Sequence, residues 1–413
     1  MARTESLSLT VGTFAAVPNG GILQRSENDA LSYTGDEQNF ADVMLEIAKL
    51  GVTWLGGCCG TTPAHIRVLV ERLQELGAVG ELADFNSPVR KRESDANRTP
   101  ARVVEETPYE VIRPMGESLV DKLKTQATVI VELDPPKTLE CERFIQGARE
   151  LRAAGADMIT MADNSLGTVR VSNMALASML KQFGIEPLVH VTCRDRNLIG
   201  QQSHLMGLHV LGIRNILLIT GDPSRYGDLP GASSVYDVSS IDLTKMVRRL
   251  NEGVGFSGKQ LKKPAQFVIG TAFNPHVRNF PKAVERLRRK VEAGADYVMT
   301  QPVYDERTME QIALATRDLG VPVMIGIMPL TSLRNAEFLH HQVPGITIPE
   351  DVLLAMREAT PDQAGEAGYQ LAERLCDAAL SYFRGIYLVT PFLKYDLTVR
   401  LTQHIRMGSL VTP

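Results

Sequence analysis

The chain is short of the features that mark several protein classes. Its 413 residues include five cysteines and one tryptophan, and aromatic residues make up 6%. An odd, small number of cysteines in a long chain, two of them adjacent at Cys58-Cys59, does not make a disulfide framework and implies a reducing cytoplasm. No apolar run nears the roughly 20 residues that cross a bilayer; stretches such as 216–219 and 321–328 are short or interrupted. The segment 1–17 has the outline of a signal peptide, but Ser8, Thr10 and Thr13 break its apolar centre, so it reads as a strand. Charge of one sign is missing too. With 44 Lys and Arg interspersed among 48 Asp and Glu, the net charge of −4 offers no field for nucleic acid or an anionic membrane surface. A small-molecule partner is the default that remains.

What is present is a hydrophobic content of 44% and a length that allows two or three domains, or equally one large domain and a smaller piece. Residues 84–115 carry the run Arg90-Lys91-Arg92-Glu93 with Pro88, Pro100, Pro108 and Pro114 and little to bury, so they read as a linker between residues 1–83 and 116–413. The first part holds two strand-helix units: a strand at 7–17, a turn at Pro18-Asn19-Gly20-Gly21, a helix at 36–50, a strand at 52–55 and a helix at 62–76.

After the linker the alternation becomes regular. Strands are expected at 128–133, 158–161, 188–192, 216–220, 267–272, 297–301, 323–327 and 386–389. The stretches between them repeat apolar residues at i, i+3 and i+4, as in Phe144, Ala148 and Leu151 or Val284, Leu287 and Val291. Glycine follows each of several helices, at Gly51, Gly155, Gly184, Gly212, Gly294 and Gly320, where a left-handed cap belongs. Eight βα units over such a span favour a closed α/β architecture, a (β/α)8 TIM barrel, preceded by a small incomplete βα segment. An open doubly wound sheet would carry a glycine-rich turn after its first strand, and here that turn is Asp134-Pro135-Pro136.

Barrels of this kind carry function at the carboxyl ends of their strands. Glu132 stands at the first, pointing either into the barrel or toward the helices. It reads as an ion-paired carboxylate or as a general acid whose pKa burial raises, and the prolines that follow favour the acid. Gly221 and Asp222 close the fourth strand in Thr220-Gly221-Asp222-Pro223, where the glycine permits close approach of a ligand. Gln301 offers a donor and an acceptor suited to a flat heterocycle, or is a solvated loop amide. No lysine ends a strand, which argues against Schiff-base chemistry. His190 sits inside a strand without a second ligand at metal spacing, and His204, His209, His340 and His341 read as structural.

In this order, Val131-Glu132-Leu133-Asp134-Pro135-Pro136, His190-Val191-Thr192-Cys193, Leu218-Ile219-Thr220-Gly221-Asp222-Pro223 and the run from Lys290 to Asp296 leading to Thr300-Gln301-Pro302 resemble the methylenetetrahydrofolate reductases, over nearly all of residues 118–405. The resemblance implies FAD, reduced by NAD(P)H, passing a hydride to 5,10-methylenetetrahydrofolate in a ping-pong reaction through one shared site. It makes Glu132 the acid that protonates a folate ring nitrogen and places Asp222 by the flavin and the pterin. It sets Gln301 and Asp163 against the substrate, and His190, Thr192, Gly221, Asp222, Tyr236 and Lys290 against FAD. Leu333 stands where the enteric-type enzymes have an aromatic, and Ala162-Asp163-Asn164 replaces their Tyr-Gly-Ala. The folate substrate is the expected partner, and a homo-oligomer the expected assembly.

Pro18-Asn19-Gly20-Gly21 and the run from Gly56 to Ile66, which contains Cys58-Cys59, resemble the last two units of a homocysteine S-methyltransferase barrel. In that family zinc takes a third thiolate from an earlier strand. Cys141, Cys193 and Cys376 lie in the second barrel, so residues 1–83 are expected to hold no zinc alone, to lack methyltransferase activity, and to keep Cys58 and Cys59 as buried, inert thiols. The other readings are a zinc methyltransferase completed by another chain and a non-catalytic subunit that binds flavin or folate. Zinc without flavin marks the first, and flavin without turnover the second.

Overall fold

The computed structural model describes residues 15–21, 23–25, 31–33, 35–77, 117–343, 345–360 and 362–409. The chain divides into two compact units between Glu105 and Glu106. The expected linker at 84–115 and the expected strand before residue 15 lie outside the described residues.

In the first unit Ala15–Ala16 pairs in parallel with Trp54–Leu55. Helix Glu37–Lys49 starts where the Asp36 carboxylate accepts the Asn39 N–H at 2.7 Å, and helix Pro63–Glu75 starts on a proline whose missing N–H costs nothing there. The two helices bury Phe40, Ala41, Met44 and Leu69 against each other. An antiparallel pair, Leu23–Arg25 with Leu31–Tyr33, stands between the two parallel strands in sequence and was not foreseen.

The second unit is a closed barrel of eight parallel strands in sequential order. They are β1 Thr128–Glu132, β2 Met158–Met161, β3 Pro187–Thr192, β4 Asn215–Ile219, β5 Val268–Phe273, β6 Tyr297–Pro302, β7 Val323–Ile327 and β8 Gly385–Val389. β8 closes on β1 with Val389 opposite Glu132. Each expected strand is present to within a residue or two at its ends. The six helix-ending glycines all have positive φ.

Strand alternation sorts the side chains into two cores. Val129, Val131, Ile159, Val189, Val191, Ile216, Leu218, Ile325 and Leu388 face the helices. Ile130, Met158, Leu188, Leu217, Tyr297, Met299, Met324 and Tyr387 fill the barrel, whose lower end is plugged by Leu119 and Leu123 of helix Leu119–Thr125. Each of these fully buried side chains contributes about 1.5–3 kcal/mol. The Tyr297 hydroxyl reaches across the interior to the Ile216 carbonyl at 2.8 Å, and a methyl group on Gly270 would come within 2.3 Å of its ring, so β5 needs glycine there. Among the described residues no helix is long and apolar enough to cross a membrane.

Candidate active site

The same alternation settles which way Glu132 points. Val131 and Leu133 pack outward, so Ile130 and Glu132 face the interior, and Glu132 opens onto a cavity of about 670 Å³ at the carboxyl ends of the strands. Burial pushes its carboxyl up to about 8, the Asp134 charge adds to the rise, and the Tyr387 hydroxyl and Arg170 oppose it. The Tyr387 hydroxyl donates to Oε2. His190 Nε2 lies 3.6 Å from the same oxygen, beyond hydrogen-bond reach, and has no partner among the described residues. Burial draws the His190 imidazole down to about 4. At neutral pH the pair is therefore two uncharged groups rather than an ion pair. Asp134 is held at the rim by Arg170 at 3.1 Å and Ser165 at 3.2 Å.

Asp222 lines the same cavity from the loop after β4. Gly221 before it has φ +82°, and a Cβ there would come within 3.0 Å of Thr192. Tyr236 lines neither this cavity nor the next one. Its hydroxyl donates to the Gly221 carbonyl at 2.9 Å and so braces that turn. Thr192 and Asp163 are locked together: the Asp163 carboxylate accepts the Thr192 N–H at 2.9 Å and hydroxyl at 3.1 Å, and both Arg196 end nitrogens at 2.7 and 3.2 Å. Burial works to raise the Asp163 pKa, but Arg196 and the Thr192 N–H outweigh it and hold the group below the usual carboxylate range. Although Asp163 was expected against substrate, both of its oxygens are already engaged.

Gln301 is exposed at the cavity wall. The pairing of β6 with β7 slips between Met299 and Pro302, and Gly326 permits the slip, since a Cβ there would meet the Thr300 carbonyl at 2.6 Å. Beyond Gln301, Gly221 and Asp222 lies a second cavity of about 660 Å³ that shares those residues and is walled by Lys282, Arg286, Arg289 and Lys290, four cations against the single carboxylate of Glu285 besides Asp222. Lys290 donates to the Ala272 carbonyl at 2.7 Å, and burial, helped by the Arg286 charge, draws it down to about 8. Leu333 packs into the outer core, and its helix, Leu333–Gln342, presents Asn335, Phe338 and Leu339 to the first cavity instead.

Cys58 and Cys59 differ from expectation. Both are exposed, with sulfurs 3.8 Å apart, because they lie in the loop between Trp54–Leu55 and helix Pro63–Glu75 rather than in the packed helix pair. Among the described residues no group of three His, Cys, Asp or Glu could hold a metal.

The sequence reading gave no role to Tyr387, Asp134, Arg170 or Arg194. Arg194 is 1% exposed and ties three loops, bonding the Asp222 carbonyl at 2.9 Å, the Asn164 carbonyl at 2.9 Å and the Asp195 carboxylate at 2.6 and 2.8 Å. Its place just past β3, as a charge following an apolar strand, was the available signal.

Residues 117–390, a strand-for-strand span of the barrel, match the family model described as methylenetetrahydrofolate reductase. The chain belongs to the methylenetetrahydrofolate reductase family. Its members are oxidoreductases, and residues 4–73 match a second model, homocysteine S-methyltransferase. The Caenorhabditis elegans protein named "Probable methylenetetrahydrofolate reductase (NADPH)" is 25% identical over 59% of this chain and 36% of its own length. "Methylenetetrahydrofolate reductase (NADH) 1" of Arabidopsis thaliana is 24% identical over 55% of this chain and 40% of its own. The 5,10-methylenetetrahydrofolate reductase of Salmonella typhimurium is 25% identical over 54% of this chain and 71% of its own. The chain thus spans less than half the length of the first two methylenetetrahydrofolate reductases.

Proposed function

We propose that this protein reduces 5,10-methylenetetrahydrofolate to 5-methyltetrahydrofolate with NAD(P)H, using FAD in a ping-pong reaction at the barrel mouth. The observation that carries this reading is the convergence of a protonated Glu132 and the Asp222 carboxylate on one cavity, joined to a cation-walled cleft.

The residues fit FAD. The cleft at Lys290, Arg286 and Arg289 suits a diphosphate, and the Gly221 turn leaves room for a flat ring beside Thr192 and His190. When bound, FAD supplies two-electron transfer between the nicotinamide and the folate. Glu132 holds a proton at neutral pH and gives it to the folate ring nitrogen, which opens the five-membered ring to a cationic iminium. Asp222 favours that cation by its negative charge. Gln301 offers its amide to the pterin edge. Asp163 contributes by fixing Thr192 and Arg196. The apolar side chains beneath the site, Ile130, Leu188 and Leu217 among them, offer the Glu132 proton no acceptor. Self-association is part of the same reading and is measured by light scattering.

The test is direct. Purified protein should show a flavin absorbance spectrum and oxidise NADH or NADPH in a manner dependent on methylenetetrahydrofolate. A colourless protein that takes up no added FAD contradicts the proposal.

A further inference from the structure

Two polar side chains of the barrel, Tyr387 and His190, stand beside the Glu132 carboxyl. In the register of β8 on β1, Tyr387 lies opposite Ile130, one layer below Glu132, and its phenol rises to Glu132 Oε2. His190 Nε2 approaches that same oxygen from β3. Among the described residues nothing donates a hydrogen bond to Oε1.

We propose that Tyr387 is a positioning residue for the acid. Its O–H, with His190 on the other side, reserves Oε2, so that the transferable proton resides on Oε1, and it stabilises the negative charge left when that proton departs.

The step balances without an added reactant. The Oε1–H bond breaks with its electron pair staying on the carboxylate, an N–H bond forms on the substrate, and the charge spreads to Oε2, where the phenol already donates. Tyr387 stays a donor throughout, because burial and then the Glu132 charge hold its own pKa well above the ordinary value. His190, kept neutral by burial, can close its 3.6 Å gap as an N–H donor once Oε2 is charged. The other groups facing Glu132 are Asp134 and Arg170, which are paired with each other at 3.1 Å, and the uncharged Thr160 opposite it on β2. The phenol is therefore the one direct hydrogen bond that the Glu132 carboxyl receives from the described residues.

This inference rests on Glu132 being the acid, and the test separates the two ideas. Tyr387→Phe keeps the ring in the barrel and removes the O–H. In the purified holoenzyme without folate, the carboxyl infrared band of Glu132, assigned by its loss in Glu132→Gln, is titrated. The midpoint should move up by about one pH unit in Tyr387→Phe. Fluorotyrosine incorporated at position 387, a stronger donor of the same shape, should move it down and decides the matter if the phenylalanine variant does not fold. In turnover, Tyr387→Phe should lose about 10- to 100-fold in folate reduction while NAD(P)H oxidation by a quinone stays within about twofold. In the Glu132→Gln background it should cost nothing more. An unmoved midpoint, equal loss in both half-reactions or additive loss in the double variant overturns the role of Tyr387. If the wild type reduces no folate, the proposed function fails, and the titration still decides the hydrogen bond's role.

Discussion

The Asp222 carboxylate accepts the backbone N–H of Leu166 at 3.0 Å, which joins the loop after β4 to the loop after β2 above the cavity. The donating loop is left-handed at Asn164, Leu166 and Gly167, with φ of 52°, 55° and 69°. A non-glycine residue in that region costs on the order of 1 kcal/mol. The Asp222 and Arg194 bonds hold the loop there, so Asp222 both shapes the mouth and charges it.

Those two roles can be separated. Asp222→Asn keeps an oxygen for Leu166 and loses the charge. It should lower folate reduction by about 10- to 100-fold and leave NAD(P)H oxidation by a quinone within a few-fold, as single-turnover kinetics of each half would show. Equal damage to both halves would mean that the loop, not the charge, had been disturbed.

Glu132→Gln should abolish folate reduction, by about 100-fold or more, and spare the quinone reaction. It should also change the pH dependence of stability. Glu132 has a folded pKa near 8, above its unfolded value, so between the two the folded state binds more protons. Its stabilising contribution is complete below the unfolded pKa and is lost as pH rises toward 8. His190 and His204, both drawn down to about 4 by burial, act the opposite way, and stability falls as pH drops from about 6.5 toward 4. Melting temperatures should therefore peak on the weakly acidic side of neutrality. Glu132→Gln should flatten the alkaline slope.

The barrel was legible in the sequence because each of its signals is local. A strand's apolar run, a helix's period and a capping glycine such as Gly155 all fall within a few residues of one another. Glu132 and Asp222 were legible for the same reason, as carboxylates ending apolar strands. Tyr387 was not, since its bond to Glu132 spans 255 residues and exists only because β8 closes on β1 in a particular register. Arg170 and Asp134 likewise meet across two loops whose conformations no short-range pattern encodes. The seven-residue helix Leu119–Thr125 was too short for a periodic signal, and its two buried leucines acquire meaning only from the open end of the barrel they fill. The exposure of Cys58 and Cys59 depends on how few elements surround their loop, which residue type alone cannot report.

Arg194 gives a stability prediction. It is fully buried, and its guanidinium satisfies the carbonyls of Asp163, Asn164 and Asp222 together with the Asp195 carboxylate. Arg194→Met keeps the length and leaves those acceptors without a donor, which should cost about 3–5 kcal/mol in denaturant unfolding. Arg194→Lys should recover little, because one ammonium cannot serve acceptors spread across a planar fork.

Lys290 yields a prediction about cofactor affinity. Burial and the Arg286 charge bring its pKa down to about 8, so in the free protein the ammonium is largely protonated at pH 7 and largely neutral at pH 9. A diphosphate in the cleft needs the charged form. Binding should therefore take up protons near pH 8, and the affinity of flavin-stripped protein for FAD should fall about tenfold for each pH unit above that point. The opposite order of events has a different sign: if the neutral amine were the binding form, affinity would rise with pH. Lys290→Met should bind FAD about tenfold or more weakly at pH 7 and lose this pH dependence, which fluorescence titration of FAD between pH 7 and 9 measures. Because the amine also bonds the Ala272 carbonyl at 2.7 Å, the unliganded variant should be compared by its melting temperature. A large fall there, with the pH dependence of binding intact, would assign Lys290 to holding β5 rather than to the cofactor.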